Sequence, residues 1–300
     1  MASGSRGSCS PADAMHWLTD PYSLDFMRRA LLASLIVGGV APLVGTWMVL
    51  RRLAYLSDAM SHATVSGVAI AYLGGWSITI GAIGAGLTMA VLMSVLAGHP
   101  RLREDAIIGS VGTGLFAVGV VIISHDHSVS IDLTHILFGS VTTVSAGDLR
   151  LDVALGGACA LIVGALFRDL RAATFDPEHA ALVGVRTGAL RHALYALLAI
   201  CVVLGLQSVG LLMSVALFIV PAAAARLWAR TAAQMAALAS AFGVTAAVTG
   251  LTVSYHVDSA PGATIALSAV AILMISFALT LPRRGGARPR PSHAAADAAA

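Results

Sequence analysis

Residues 51–75 read RRLAYLSDAMSHATVSGVAIAYLGG. Two arginines open the stretch, an apolar run closes it, and between them Asp58 stands four residues before His62. On a helix that spacing puts both side chains on one face, about one turn apart. Apolar runs of roughly twenty residues recur on either side, each long enough to cross about 30 Å of hydrocarbon. An ionisable residue inside such a span costs roughly 2.5–3.5 kcal/mol on insertion scales and as a rule faces a cavity or a partner. The expected fold class is therefore an all-α polytopic membrane protein, with a carboxylate and an imidazole carried into its apolar layer.

Composition agrees. The 300 residues are 58% hydrophobic and 11% charged, with a mean hydropathy of +0.86, whereas a soluble domain is about 45–50% apolar and about 25% charged. Nine spans are read, near 28–50, 59–75, 77–98, 106–124, 149–167, 189–206, 208–226, 232–256 and 262–281. An eight-span reading with an extra half-helix stays open. A shorter segment near 135–147 is expected to be re-entrant. The polar residues 1–27 form an N-terminal extension without the pattern of a cleavable signal peptide. The Pro/Gly/Ala-rich stretch 282–300 is expected to be a disordered cytoplasmic tail.

All 18 basic residues are arginine. With the N-terminus outside, only Arg6, Arg28, Arg29 and Arg150 fall on the outer side and the remaining fourteen fall inside. The positive-inside rule therefore favours N-out and C-in. The small surplus of basic charge speaks to topology, and no nucleic-acid partner is expected. Without a lysine there can be no Walker A loop, so any ATP must be hydrolysed by another chain. Neither H-E-x-x-H nor G-x-S-x-G occurs, which argues against an intramembrane zinc protease or serine hydrolase. Cys9, Cys159 and Cys201 are isolated in sequence, without metal-like spacing.

Four features carry candidate chemistry. Asp58 and His62 could hold a first-row divalent ion; alternatively Asp58 caps the second span, being a preferred N-cap residue. The outer loop 125–135, HDHSVSIDLTH, offers His125, Asp126, His127, Asp132 and His135 either as collectors of metal or as solvated polar residues. In the inner loop, Asp176 and Pro177 begin a short helix in the favoured cap-then-proline order. Glu178 and His179 follow, and Gly184 should end or bend the helix. Such a helix could dock in a partner's groove or lie on the membrane. Pro221 should kink or break its span, which either lines a pathway or serves packing. Glycines in GGVAPLVG, GAIGAGLTMA and GSVGTGLFAVG are placed for close helix packing.

Taken together, RRLAYLSDAMSHATVSGVAIAYLGG (51–75), DLTHILFGSVTTVS (132–145), FDPEHAALVGV (175–185) and QSVGLLMSVALFIVPAAAAR (207–226) resemble the metal-transporting ABC permeases, importers of manganese, zinc and iron(II). The resemblance covers roughly 25–281 and implies a homodimeric permease of the type II importer architecture, as in the vitamin B12 uptake system, in a bacterial cytoplasmic membrane. It implies an ATPase subunit seated below on Asp176 to Val185, an extracellular metal-binding protein above, and an ion path past Asp58 and His62. The transported ion would be manganese or zinc, with iron as a further candidate, with ATP on the partner and no cofactor in this chain. A proton-coupled secondary transporter is the alternative, in which the same pair would relay protons; no internal repeat of the kind such carriers show is evident.

Overall fold

The computed structural model describes residues 24–97, 101–125, 145–208 and 210–281. Among them the regular structure is helical throughout. In chain order the helices are α1 (Asp25–Leu50), α2 (Ala54–Leu73), α3 (Ile78–Leu96), α4 (Glu104–His125), α5 (Ala146–Ala165), α6 (Phe167–Phe175), α7 (Pro177–Leu182), α8 (Thr187–Ser208), α9 (Leu211–Trp228), α10 (Ala232–Val257) and α11 (Pro261–Thr280). Each stretch read as a span overlaps one of the long helices, α2 beginning five residues ahead of the reading. By length and apolarity, six of the described helices can cross a membrane, or seven if α5 and α6, bent by 58°, count as one span. Helix α2 is not among them, because Ser57, Asp58, Ser61, His62, Thr64 and Ser66 dilute its apolar residues.

Local chemistry explains the ends. Ser145 and Asp148 form a capping box at α5, which satisfies two of the N–H groups every helix start leaves unpaired. Thr231 accepts from the Gln234 N–H at α10, and Pro261 opens α11, where its missing N–H costs nothing. The turn from α1 into α2 takes Arg52 into the left-handed region at φ 63°, so the chain reverses without glycine or proline.

Two groups of helices share one wall. Helix α2 packs against α3 and α4; α1 packs against α9 and α10, and α11 closes on α9 and α10. Helix α8 touches members of both groups. Lipid tails are as apolar as a leucine, so association rests on close packing rather than on removal from water. The Gly67 and Gly81 backbones meet at the α2–α3 crossing, where a Cβ on either would run into the other's carbonyl. Trp47, Tyr195 and Phe218 are fully buried at the centre. The buried hydroxyls of α2 donate within the helix, Ser61 to Ser57 O at 2.9 Å and Thr64 to Ser61 O at 2.6 Å, as a medium without water requires.

Pro221 does not break its helix. Helix α9 runs through it from Leu211 to Trp228, and the discontinuity lies upstream, where Gly210 adopts φ 95° between α8 and α9. Pro221 is buried, and packed neighbours allow a membrane helix to tolerate the missing bond. The segment near 135–147 falls outside the described residues up to Val144. Cys159 and Cys201, isolated in sequence, are both free and buried, and come near one another where α5 packs against α8.

Candidate ion site and coupling segment

Helices α2 and α4 diverge around a cleft of about 750 Å3. Arg52, Tyr55, Asp58, Ala59 and His62 line one side, and Asp105, Gly109, Gly112, Thr113 and Phe116 lie on α4 opposite. Gly112 lets α4 approach Ala59, where an added Cβ would stand 2.8 Å from the Ala59 Cβ. The wall nearest Asp58 is therefore backbone and small side chains, and space is left for a ligand.

Asp58 Oδ1 lies 3.7 Å from His62 Nε2. That is too long for a hydrogen bond, so neither group is satisfied by the other. The Asp58 side chain is 52% exposed and that of His62 39%. The Phe116 ring meets the imidazole edge-on, with centroids 5.4 Å apart and planes at 71°, which fixes one side of the His62 ring. A carboxylate oxygen and an imidazole nitrogen at this separation can both reach one divalent cation. No cluster of three His, Cys, Asp or Glu side chains occurs among the described residues, so within them the Asp58–His62 pair has no third such side chain beside it.

The capping role read for Asp58 is corrected. Helix α2 begins at Ala54, its N-cap is Leu53, and no side chain caps it. Asp58 sits a full turn inside, where the N–H groups ahead already have carbonyl partners, and its carboxylate faces the cleft. The sequence marks no start at Ala54, because the turn uses Arg52 rather than a residue that announces it. Phe116 and Asp105 escape sequence reading for a related reason: only the α2–α4 crossing brings them to the pair, while Arg52 reaches the cleft from the turn ahead of α2.

The inner loop matches its reading closely. Asp176 caps α7 by accepting from the His179 N–H at 2.9 Å, and Pro177 occupies the first turn. Gly184 follows at φ 85°. Its N–H donates to Ala181 O at 3.2 Å and that of Val185 to Ala180 O at 2.9 Å, the paired bonds of a Schellman ending. Glu178, Leu182 and Val183 are exposed while Ala180 is fully buried against the bundle. The segment is thus a rigid knob with an apolar tip, Leu182 being 86% exposed. His125 is the last residue of α4; Asp126, His127, Asp132 and His135 lie outside the described residues.

An open cleft carrying a carboxylate and an imidazole within a bundle of apolar helices, together with a capped knob at the bundle's end, is the build of a membrane transport subunit. Residues 23–280 match the model of the ABC 3 transport family, and the chain belongs to that family. It is 36% identical over 263 residues to the manganese transport system membrane protein MntC of Halalkalibacterium halodurans, covering 88% of this chain and 90% of that one. It is 33% identical over 250 residues to the chelated iron transport system membrane protein YfeD of Yersinia pestis, covering 83% and 84%. Among solved structures, PsaBC from Streptococcus pneumoniae in complex with Fab superposes with a TM-score of 0.78 at 34% identity, covering 88% of this chain and 95% of that one. The resemblance carried by the four motifs is borne out, as is the all-helical membrane build.

Proposed function

We propose that this chain is the membrane-spanning subunit of an ABC importer for a divalent transition metal, manganese or ferrous iron in preference to zinc. Asp58 and His62 are its transient ion site. The observation that carries the reading is the half-exposed pair in the α2–α4 cleft, with two ligands and room for more. Two ligands bind an ion weakly, and a conduction site must release what it binds. A second copy of the chain, related by a dimer axis, supplies the remaining ligands. The relatives' names support manganese and iron over zinc.

In this reading the protein crosses a bacterial cytoplasmic membrane nine times, α2 and α9 included, with its N-terminus outside and the type II importer architecture. The transmembrane domain spans 28–281, between a polar N-terminal extension and a cytoplasmic tail. The apolar tip of α7 seats in the ATPase subunit, and an extracellular binding protein delivers the ion. Metal uptake in cells co-expressing the cognate ATPase tests the proposal. Asp58→Ala should abolish uptake while the dimer and its ATPase still assemble. Undiminished uptake by that variant removes the pair from the path, and uptake that follows a proton gradient without the ATPase removes the ABC mechanism.

A further inference from the structure

A second cavity, of about 220 Å3, opens at the foot of α7, between the turn after α1, the end of α6 and the first turn of α8. Its lining is Arg51, Ala173, Thr187, Gly188 and Arg191, two guanidinium groups and no carboxylate. Arg51 Nε donates to Thr174 Oγ1 at 3.1 Å, and that hydroxyl donates to Leu170 O at 2.6 Å, so the Arg51 guanidinium is held in place. Yet Arg51 Nη2 and Arg191 Nε are buried without a hydrogen-bond partner among the described residues. Burial lowers the Arg51 guanidinium below the ordinary arginine value; Tyr195 and Glu104 oppose this, and the like charge of Arg191 adds to it.

Two like charges held around one small space, each with an unused buried donor, are unfavourable unless an anion lies between them. The cavity also receives the Thr187 side chain and the N-terminal turn of α8, the positive end of a 22-residue helix. We propose that this cavity is a phosphate-group site at the root of the coupling segment. A single carboxylate is satisfied by one arginine fork, whereas donors converging from Arg51 in the turn after α1 and from Thr187 and Arg191 on α8 suit a tetrahedral group with several acceptor oxygens. The volume equals about seven waters, enough for a phosphate and the start of an ester but not for a nucleotide. The phosphate is free in solution or is the headgroup of an acidic lipid. Once bound, it ties the end of α1 to the two helices that flank α7.

The test uses the full chain in phosphatidylcholine nanodiscs. One arm compares its melting temperature in sodium phosphate with that in sodium chloride of equal ionic strength; the other adds phosphatidic acid to the nanodisc. Wild type is measured beside Arg191→Gln and beside Arg230→Gln, an exposed arginine outside the cavity that controls for net charge. The expected result is stabilisation of wild type and of the Arg230 variant, with apparent affinity about tenfold weaker in Arg191→Gln through loss of a charged hydrogen bond. A response to inorganic phosphate identifies the free anion, and a response to phosphatidic acid alone identifies the lipid headgroup. Should Arg191→Gln fail to fold, Arg191→Lys replaces it and is expected to lose affinity while keeping charge, since a lysine offers no fork. Equal responses in all variants overturn the proposal. It is also overturned if neither anion stabilises the chain; loss of the ATPase by Arg191→Gln then shows that the cavity seats a protein carboxylate instead.

Discussion

Two of the three glycines of helix α3, Gly81 and Gly84, stand one turn apart, and the structure assigns the same substitution opposite effects at each. A Cβ at Gly81 would meet the Gly67 carbonyl oxygen, lie 2.9 Å from its carbon, and lie 2.5 Å from the Ala71 Cβ. None of these is the end of a movable side chain, so α2 and α3 must part. A Cβ at Gly84 meets nothing within 4 Å. Both changes gain about 1 kcal/mol of helix propensity on replacing glycine by alanine. That gain cancels when the two variants are compared and leaves the overpacking cost, about 1–3 kcal/mol. At about 2–4 °C per kcal/mol for a chain of this class of size, Gly81→Ala should melt several degrees below Gly84→Ala. Thermal unfolding of the purified permease measures the difference. Because α2 also carries Asp58 and His62, Gly81→Ala should depress metal uptake and Gly84→Ala should not. Equal melting of the two variants would refute the claim that backbone contact at Gly67–Gly81 holds the ion-site helix in place.

Other outcomes follow from the same geometry. Phe116→Ala frees the side of the imidazole that the ring now braces, so the metal concentration for half-maximal uptake should rise while the maximal rate changes less. Asp176→Ala removes the α7 cap, worth about 1 kcal/mol; ATP hydrolysis by the assembled transporter should then couple less tightly to transport, read as ATP consumed per ion imported. Gly184→Ala forces a side chain into φ 85° at a cost of roughly 1–2 kcal/mol and should produce the same uncoupling. An Asp176→Asn variant keeps a capping oxygen and should restore most of the coupling.

The long helices are legible in sequence because apolar runs of this length have few other destinations. The end of α7 is legible too, since Asp176, Pro177 and Gly184 each act on backbone within a few residues of themselves. What escapes is whatever depends on two distant segments meeting. Asp58 looks like a helix cap as long as α2 is thought to start beside it. The true start at Ala54 follows a turn through Arg52, a residue type that carries no turn signal. The Phe116 brace, the Cys159–Cys201 contact and the arginine cavity arise from crossings of α4 with α2, α5 with α8, and α1 with α8. Pro221 is the converse case: a strong local signal that does not break the helix, because its neighbours pack around it.

The division of the bundle has a mechanical consequence. Its two helix groups are locked internally by contacts without side-chain slack, such as Gly67 with Gly81 and Gly38 with Gly243. Relative motion is therefore directed to the seam between the groups, along which α8 packs against both and α9 also meets α2. Only Arg186 separates the Schellman-ended knob from the first residue of α8. A push on the knob therefore enters the seam at its foot with no loose linker to absorb the stroke. The α2–α4 cleft, which lies wholly within one group, would then be carried as a unit and turned rather than squeezed.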